Sequence, residues 1–418
     1  MFMTFKEWKS WVSSLDWPLR WFIILILLRP IIDNFYYIKE ISPFLSPLYI
    51  VGVLSPFLAI YAIITVPKPS YVRLDTYMGF MALLIFLSSS VLIISDSFSL
   101  NSLEFLMKYP LPFLMYFFCR RLIQSKKDLH AVFQTFIYSS IVVLLIFTYE
   151  LIFGAINIQI SRGLERLQGS YADVMNYAIY TACGLLIFFY SFIEKPKAVS
   201  SRTRLILMLI ALIYTILLLF NIQHTATYGV VIGLTIIFIF HNMRANLGVG
   251  IIVIAIVGVV VYSIGSETIS EKVTPLIETD IKVYEGEKGN EQLLHGRVGR
   301  WMNFIDYFNS KSSIIQLVGL PFGMDHPYSY IAKGSHNDFL RTLMFSGYIG
   351  LITYILILMN IGYRIIGKSI ALTMLGLGAM CIMLLYSIST TPLLYPLLNY
   401  IIMPIICALV LPKSVMEK

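Results

Sequence analysis

Residues Leu205–Ile222 read LILMLIALIYTILLLFNI, an apolar run without one charged side chain. Wound as a helix it rises about 27 Å, close to the ~30 Å hydrocarbon thickness of a bilayer. The same texture recurs on both sides. Before it, apolar segments run near Pro18–Tyr37, Phe44–Val66, Tyr77–Ile94, Leu103–Phe118, Val132–Phe153 and Tyr171–Phe192. After it come Tyr228–Phe240, Leu247–Ile264, Asp338–Met359, Ile370–Ile388 and Leu394–Leu411. The expectation is an all-α polytopic membrane protein with about 12 transmembrane helices, one integral membrane domain over 1–418. The eighth span, Tyr228–Phe240, is short enough to be partly re-entrant.

Composition agrees. The chain is 58% hydrophobic and 13% charged, against about 25% charged residues in a soluble domain. A soluble enzyme, a disordered chain, a coiled coil and a disulfide scaffold are excluded. The net charge of +8 points to no nucleic acid, because basic residues in such a chain mark cytoplasmic loops. Cys183, Cys381 and Cys407 lie inside apolar runs and Cys119 at the end of one; their spacing fits packing, with no metal or redox pattern.

Lysine and arginine orient the spans. With the N-terminus inside, the cytoplasmic segments hold Lys6 and Lys9, then Lys68 and Arg73, then Arg120, Arg121, Lys126 and Lys127. Lys195, Lys197, Arg202, Arg204, Arg244, Arg364 and Lys368 follow, and Lys413 and Lys418 end the chain. Both termini are thus expected in the cytoplasm. Met1–Trp17 has no cleavage site and repeats Phe5, Trp8, Val12 and Leu15 at helical spacing, which predicts an anchoring helix in the inner interface.

One hydrophilic stretch is long. Residues 265–337, between the ninth and tenth spans, form a large extracytoplasmic loop, and a loop of this length is usually functional. Within it Trp301–Phe308 reads as a short amphipathic helix and Gly319–Gly323 as a turn around Pro321. The outward-facing basic set is Arg166, Arg297, Arg300, Arg341, His295, His326 and His336. Converging guanidinium groups suit a diphosphate, whose oxygens they bind in pairs without losing charge. Ser335 can cap the tenth helix with Asp338 three positions on, which puts His336 at the positive helix end. Dipole and arginines would keep its imidazole neutral, able to accept a proton as a general base. The same backbone amides would equally suit a phosphate oxygen. Inside the membrane, Arg29 and Asp33 are four apart and expected to pair, as are Glu104 and Lys108, although Lys108 would also suit a carrier phosphate. Glu150 reads as a general base, a salt-bridge partner or an interfacial residue.

The stretch His336-Asn337, nine residues, then Gly347-Tyr348-Ile349-Gly350 resembles the motif of bacterial O-antigen polymerases and O-antigen ligases. Gly296-Arg297-Val298-Gly299-Arg300-Trp301 is similar to that family's arginine-three residues-tryptophan element. Val318–Gly323 resembles its glycine-rich turn, and Arg166, Gly169, Asp173 and Asn176 its element before the sixth span. The resemblance covers about Ser161 to Tyr354. It implies a GT-C-like fold and a membrane glycosyltransferase that moves a glycan from a polyprenyl (undecaprenyl) diphosphate carrier to a sugar hydroxyl. The site would lie on the periplasmic side of the bacterial inner membrane, work without a metal or cofactor, and invert the anomeric carbon. His336 would be the catalytic base; Arg297, Arg300, Arg166 and Arg341 would hold the diphosphate; Asn337, Tyr228, Asp173 and Asn176 would support them. Partners implied are the carrier-linked glycan, the bilayer and a chain-length regulator protein.

The chain departs from the family at Thr227-Tyr228-Gly229, where a serine-arginine-glycine step is usual. Tyr228 there offers only a neutral hydrogen bond, with His224 a partial substitute. Gly347 and Gly350 read as close-packing residues of the tenth helix. Polymerisation of polysaccharide repeat units is the leading expectation, with ligation to lipid A core the alternative. A flippase or transporter is the rival of another class, disfavoured because the charges cluster in one outer loop and not at the midplane of repeated halves.

Overall fold

The computed structural model describes residues 2–42, 45–67, 69–95, 100–161, 164–195, 200–243, 274, 277–324 and 335–416. The expected ninth span, Leu247–Ile264, and His326 lie outside the described residues. The chain is built almost wholly of helices: α1 (Phe5–Ser14), α2 (Trp17–Asp33), α3 (Pro47–Thr65), α4 (Arg73–Ser95), α5 (Leu100–Lys108), α6 (Leu111–Leu122) and α7 (Lys126–Phe153). A two-stranded antiparallel hairpin follows, β1 (Ile158–Ser161) and β2 (Leu164–Leu167). Then come α8 (Met175–Glu194), α9 (Ser201–Ile222), α10 (Thr225–Met243), α11 (Leu293–Asn309), α12 (Ser313–Val318), α13 (Asp338–Ile365), α14 (Ile370–Ser389) and α15 (Pro396–Val410).

Among the described residues, eight helices are long and apolar enough to cross a membrane: α3, α4, α7, α8, α9, α10, α13 and α14. The eighth expected span is therefore a full helix of 19 residues, not a partial one. Three other expected spans are shorter. The first, α2, has 17 residues. The fourth is broken into α5 and α6 at Tyr109-Pro110, where proline has no N–H to give and clashes with the preceding turn. The last, α15, has 15 residues and begins at Pro396.

Helix α15 is the hub. Its residues from Leu397 to Val410 are all buried, and it packs against α2, α6, α7, α8, α13 and α14. A helix that is apolar all round belongs in such a place. The outward faces of α3, α4 and α9 carry exposed Ile, Leu and Phe, such as Ile64 and Phe86, as a lipid-facing surface requires.

The first helix corrects its expectation. Thr4 and Glu7 form a capping box at its start, and its tryptophans turn into the protein. Trp8 Nε1 donates to Thr135 Oγ1 at 2.9 Å and Trp11 Nε1 to Asp128 Oδ1 at 2.7 Å. The apolar stripe that reads as an interfacial anchor thus docks in part on α7, because an indole N–H buried in apolar surroundings needs an acceptor.

Both expected pairs of charges form. Arg29 Nε lies 2.8 Å from Asp33 Oδ1, and both are buried. Lys108 bonds Glu104, whose other oxygen accepts the Tyr49 hydroxyl at 2.6 Å. Two arginines expected in a cytoplasmic segment, Arg120 and Arg121, are buried in the last turn of α6. Arg120 pairs with Asp75 at 3.3 Å, and Arg121 donates to the Ile63 and Val66 carbonyls at the end of α3, the role of a base at a helix C-terminus.

Gly347 places the insert, the described residues 277–324 between α10 and α13, on the bundle. It interrupts α13 at φ 63° and ψ −165°, a conformation reserved almost wholly for glycine. A β-carbon there would stand 2.3 Å from the Leu317 carbonyl oxygen at the end of α12. From the other side, a β-carbon on Gly319 would meet the Phe345 carbonyl at 2.3 Å. The two backbones touch, so Gly347 packs against the insert and not against a neighbouring spanning helix. Gly350 lies under the Ser346 side chain of its own helix. Gly347→Ala is expected to lower the stability of the folded protein by about 3 kcal/mol, read as a depressed thermal midpoint in detergent; Gly362→Ala, with open space around it, should leave that midpoint nearly unchanged.

Candidate functional site

Four stretches far apart in the chain meet at one end of the bundle around a cavity of about 250 Å³. The hairpin between α7 and α8 contributes Arg166. The α9–α10 junction contributes His224, Thr225, Ala226 and Gly229. The insert contributes Asp280, Leu294, His295 and Arg297, and the end of α14 contributes Leu385, Ile388 and Ser389.

Arg166 sits on β2 opposite Gln159 and is buried. The hairpin is held by Glu150 at the end of α7. Its Oε1 accepts the backbone N–H groups of Ile156 at 3.1 Å and Gly169 at 3.2 Å, and its Oε2 accepts the Tyr177 hydroxyl at 2.7 Å. Of the readings open for Glu150, the structure gives a fourth: a buried clamp joining both feet of the hairpin to α8.

Arg297 begins the regular part of α11. Before it, Leu294, His295 and Gly296 all adopt left-handed backbone, at φ 51°, 58° and 76°, and Asp280 Oδ1 secures this turn by accepting the Leu294 N–H at 2.6 Å. Arg297 Nη1 then donates to the Ser389 carbonyl at 2.7 Å, and Trp301, one turn on, donates Nε1 to the Ser335 carbonyl at 2.7 Å. The arginine-three residues-tryptophan spacing is therefore two anchors on one helix face, one on the end of α14 and one on the segment leading into α13. The expected amphipathic helix over Trp301–Phe308 lies within α11, and the expected turn at Gly319–Gly323 is a short 3₁₀ helix, Leu320–Gly323.

The cavity wall thus unites Arg166 and Arg297, with two histidines and the first turn of α10. Guanidinium groups together with a helix N-terminus suit an anion. The other expected site residues are not in this wall. Arg300 is exposed. Arg341 is buried in the first turn of α13, in electrostatic contact with Asp338 and Tyr395. Tyr228 turns away and donates its hydroxyl to the Leu219 carbonyl at 2.9 Å. Asp173 accepts the Met175 N–H at 2.9 Å at the start of α8; burial raises its carboxyl pKa, opposed by that N–H and by Arg166. Asn176 stands one turn on, half-buried.

His336 also lies outside the wall, exposed and at φ 45°. The expected cap is corrected here. Asn337, not Ser335, caps α13, its Oδ1 accepting the Leu340 N–H at 3.0 Å. Asp338 is drawn into the bundle, where Oδ2 accepts the Leu393 N–H at 3.0 Å. A tertiary partner has taken the acid that a capping box would use, which leaves His336 outside the helix. Asn337 is accordingly a structural cap.

Asp280 and Thr225 were not visible as site residues in the sequence. The bond from Asp280 to Leu294 closes across 14 residues of insert, and no periodicity marks such a pair. Among the described residues no group of three or more His, Cys, Asp and Glu is placed to hold a metal ion. The cysteines are free, and Cys119, Cys183 and Cys407 are buried. No model of a known protein family matches the chain, and neither does any curated protein sequence.

Proposed function

We propose that this protein is a membrane glycosyltransferase of the O-antigen polymerase or ligase kind, polymerising glycan repeat units from a polyprenyl diphosphate carrier at the outer leaflet of a bacterial inner membrane. The observation that carries the reading is the convergence of Arg166 and Arg297 on one cavity at the end of an apolar helical bundle. Each comes from a segment whose sequence resembles that enzyme family. Their guanidinium groups would bind the diphosphate and stabilise the charge that grows on it as the sugar leaves. The acceptor hydroxyl would attack the anomeric carbon in line and invert it. A histidine of this face would take its proton; the resemblance names His336. Exposed Arg300 would meet the carrier's surroundings, and buried Arg341 would act from within the bundle.

The test is direct. Purified protein in detergent, given a synthetic polyprenyl-diphosphate repeat unit and no ion gradient, is expected to yield longer carrier-linked glycan with a newly inverted anomeric bond. Uptake of the same compound into vesicles without any new glycosidic bond would instead support a flippase.

A further inference from the structure

At the far end of the bundle from that cavity, two arginines carry more charge than their surroundings neutralise. Helix α7 separates the two ends: its 28 residues rise about 42 Å between the turn after α6 and the hairpin that holds Arg166. Where α7 starts, the ends of α3 and α6 and the start of α4 surround a cavity of about 380 Å³, whose wall includes Ile63, Tyr71, Asp75, Phe117, Arg120 and Arg121. Arg120 pairs with Asp75 and donates Nη2 to the Ser70 carbonyl. Arg121, 9% exposed, donates Nε to the Val66 carbonyl at 3.2 Å, Nη1 to the Phe117 carbonyl at 2.9 Å and Nη2 to the Ile63 carbonyl at 2.6 Å. These bonds use three of the five guanidinium N–H groups of Arg121 and two of those of Arg120. The carbonyls are neutral acceptors, and a whole helix end offers only about half an elementary charge. Among the described residues no carboxylate forms an ion pair with Arg121. Asp75, the one acid among the described residues of the wall, already accepts from Arg120, from the Tyr116 hydroxyl at 2.6 Å and from the Val72 N–H at 3.0 Å. Two guanidinium groups therefore face one carboxylate, an excess of one positive charge on side chains that are both buried. A charge taken out of water calls for a counter-ion.

We infer that this cavity binds the phosphodiester headgroup of an anionic phospholipid. A phosphodiester brings one negative charge, equal to the excess in the wall, and guanidinium groups are suited to its two free oxygens. The volume lies within the usual range for a small-molecule site. A zwitterionic headgroup would bring an ammonium group as well, for which the wall offers only Asp75, already engaged by three donors. The position fits a lipid. Tyr71 in the wall is largely exposed, as is Ile64 beside Ile63, and an exposed tyrosine next to apolar surface is the composition of a membrane–water boundary. This is also the end that lysine and arginine assign to the cytoplasm, where basic pockets between spanning helices take anionic headgroups. The inference does not depend on the transferase reading.

The experiment uses the full chain in a neutral detergent, titrated with short-chain phosphatidylglycerol, with phosphatidylcholine of the same chain length, or with inorganic phosphate. Native mass spectrometry reads the lipid bound and a thermal melt reads the midpoint. Phosphatidylglycerol is expected to bind more tightly than phosphatidylcholine and to raise the midpoint, and inorganic phosphate at the same concentration to leave it unchanged. Arg121→Gln is expected to weaken phosphatidylglycerol binding by about 10-fold or more. Because Arg121 also holds the end of α3, a second variant leaves its bonds in place: Thr76→Trp fills the cavity from an exposed position in the wall and is expected to weaken binding to a similar degree. Arg297→Ala, at the other end of the bundle, should bind the lipid as the wild type does. Equal binding of the two lipids, or a midpoint raised as far by inorganic phosphate, overturns the assignment to an anionic phospholipid. Wild-type affinity in Thr76→Trp, or in folded Arg121→Gln, overturns the site, and a loss confined to Arg297→Ala moves the lipid to the other cavity.

Discussion

Arg297→Ala is expected to lose transfer by about 10²–10³-fold, as removal of a positioned charge-stabilising donor costs elsewhere, while the fold survives. The guanidinium is half-buried and spends one N–H on the Ser389 carbonyl. That bond is worth about 1.5–3 kcal/mol at most, and α11 keeps its second anchor through Trp301. Arg297→Lys is the informative companion. It retains the positive charge but not the planar fork that engages two phosphate oxygens at once, so transfer should fall between wild type and alanine. If charge alone mattered, lysine would restore the rate. If Arg297 served only to hold α11 against α14, the alanine variant would lose thermal stability in proportion to activity, and Trp301→Phe would behave alike.

The legibility of this chain in its sequence divides by range of interaction. Spans announce themselves through apolar length, and pairs such as Arg29 with Asp33 through a spacing that one helix face dictates. Breaks are legible only in hindsight: Pro110 lies within an apolar run that reads as one span, yet the helix stops there. The hairpin carrying Arg166 was hidden because its strands have four residues each. A two-stranded pair that short is not stable alone; it exists because Glu150 fastens its feet. The alternation of Ile156, Ile158 and Ile160 was the one local sign. His336 shows the same limit from the other side. Ser335 and Asp338 match a capping pattern in sequence, but the Leu393 N–H, far along the chain, claims the carboxylate.

The site follows this division. Arg297 was legible because it sits one turn before Trp301 in a motif, while the contacts of His224 run to Thr227, three residues on, and through it to Tyr386, which only folding brings near. Sequence reading placed His224 as a substitute for a missing phosphate ligand. Those contacts come from packing between α10 and α14, and no spacing encodes them.

Glu150→Ala is expected to lower stability by about 3–5 kcal/mol, because it leaves the Tyr177 hydroxyl and the Ile156 and Gly169 amides without their acceptor. Each such buried donor costs roughly 1–3 kcal/mol when unsatisfied, and water entering the vacated volume would recover part of the sum. Glu150→Gln separates structure from chemistry. The amide preserves the shape and keeps one carbonyl oxygen for the two backbone donors, but its NH₂ group cannot accept from Tyr177. A cost of about 1–2 kcal/mol should follow. The thermal midpoint in detergent should therefore fall in the order wild type, Gln, Ala. Transfer should follow the hairpin: Gln, with Arg166 still positioned, keeps most of it, and Ala loses it together with the fold around Gly169. A general base at position 150 would reverse the pattern for Gln, giving normal stability and no turnover. The carboxylate accepts three chain donors on its two oxygens within a buried setting, so taking up a proton would release bonds that hold Arg166 in place. Such a group is suited to fixing a strand and poorly suited to cycling a proton.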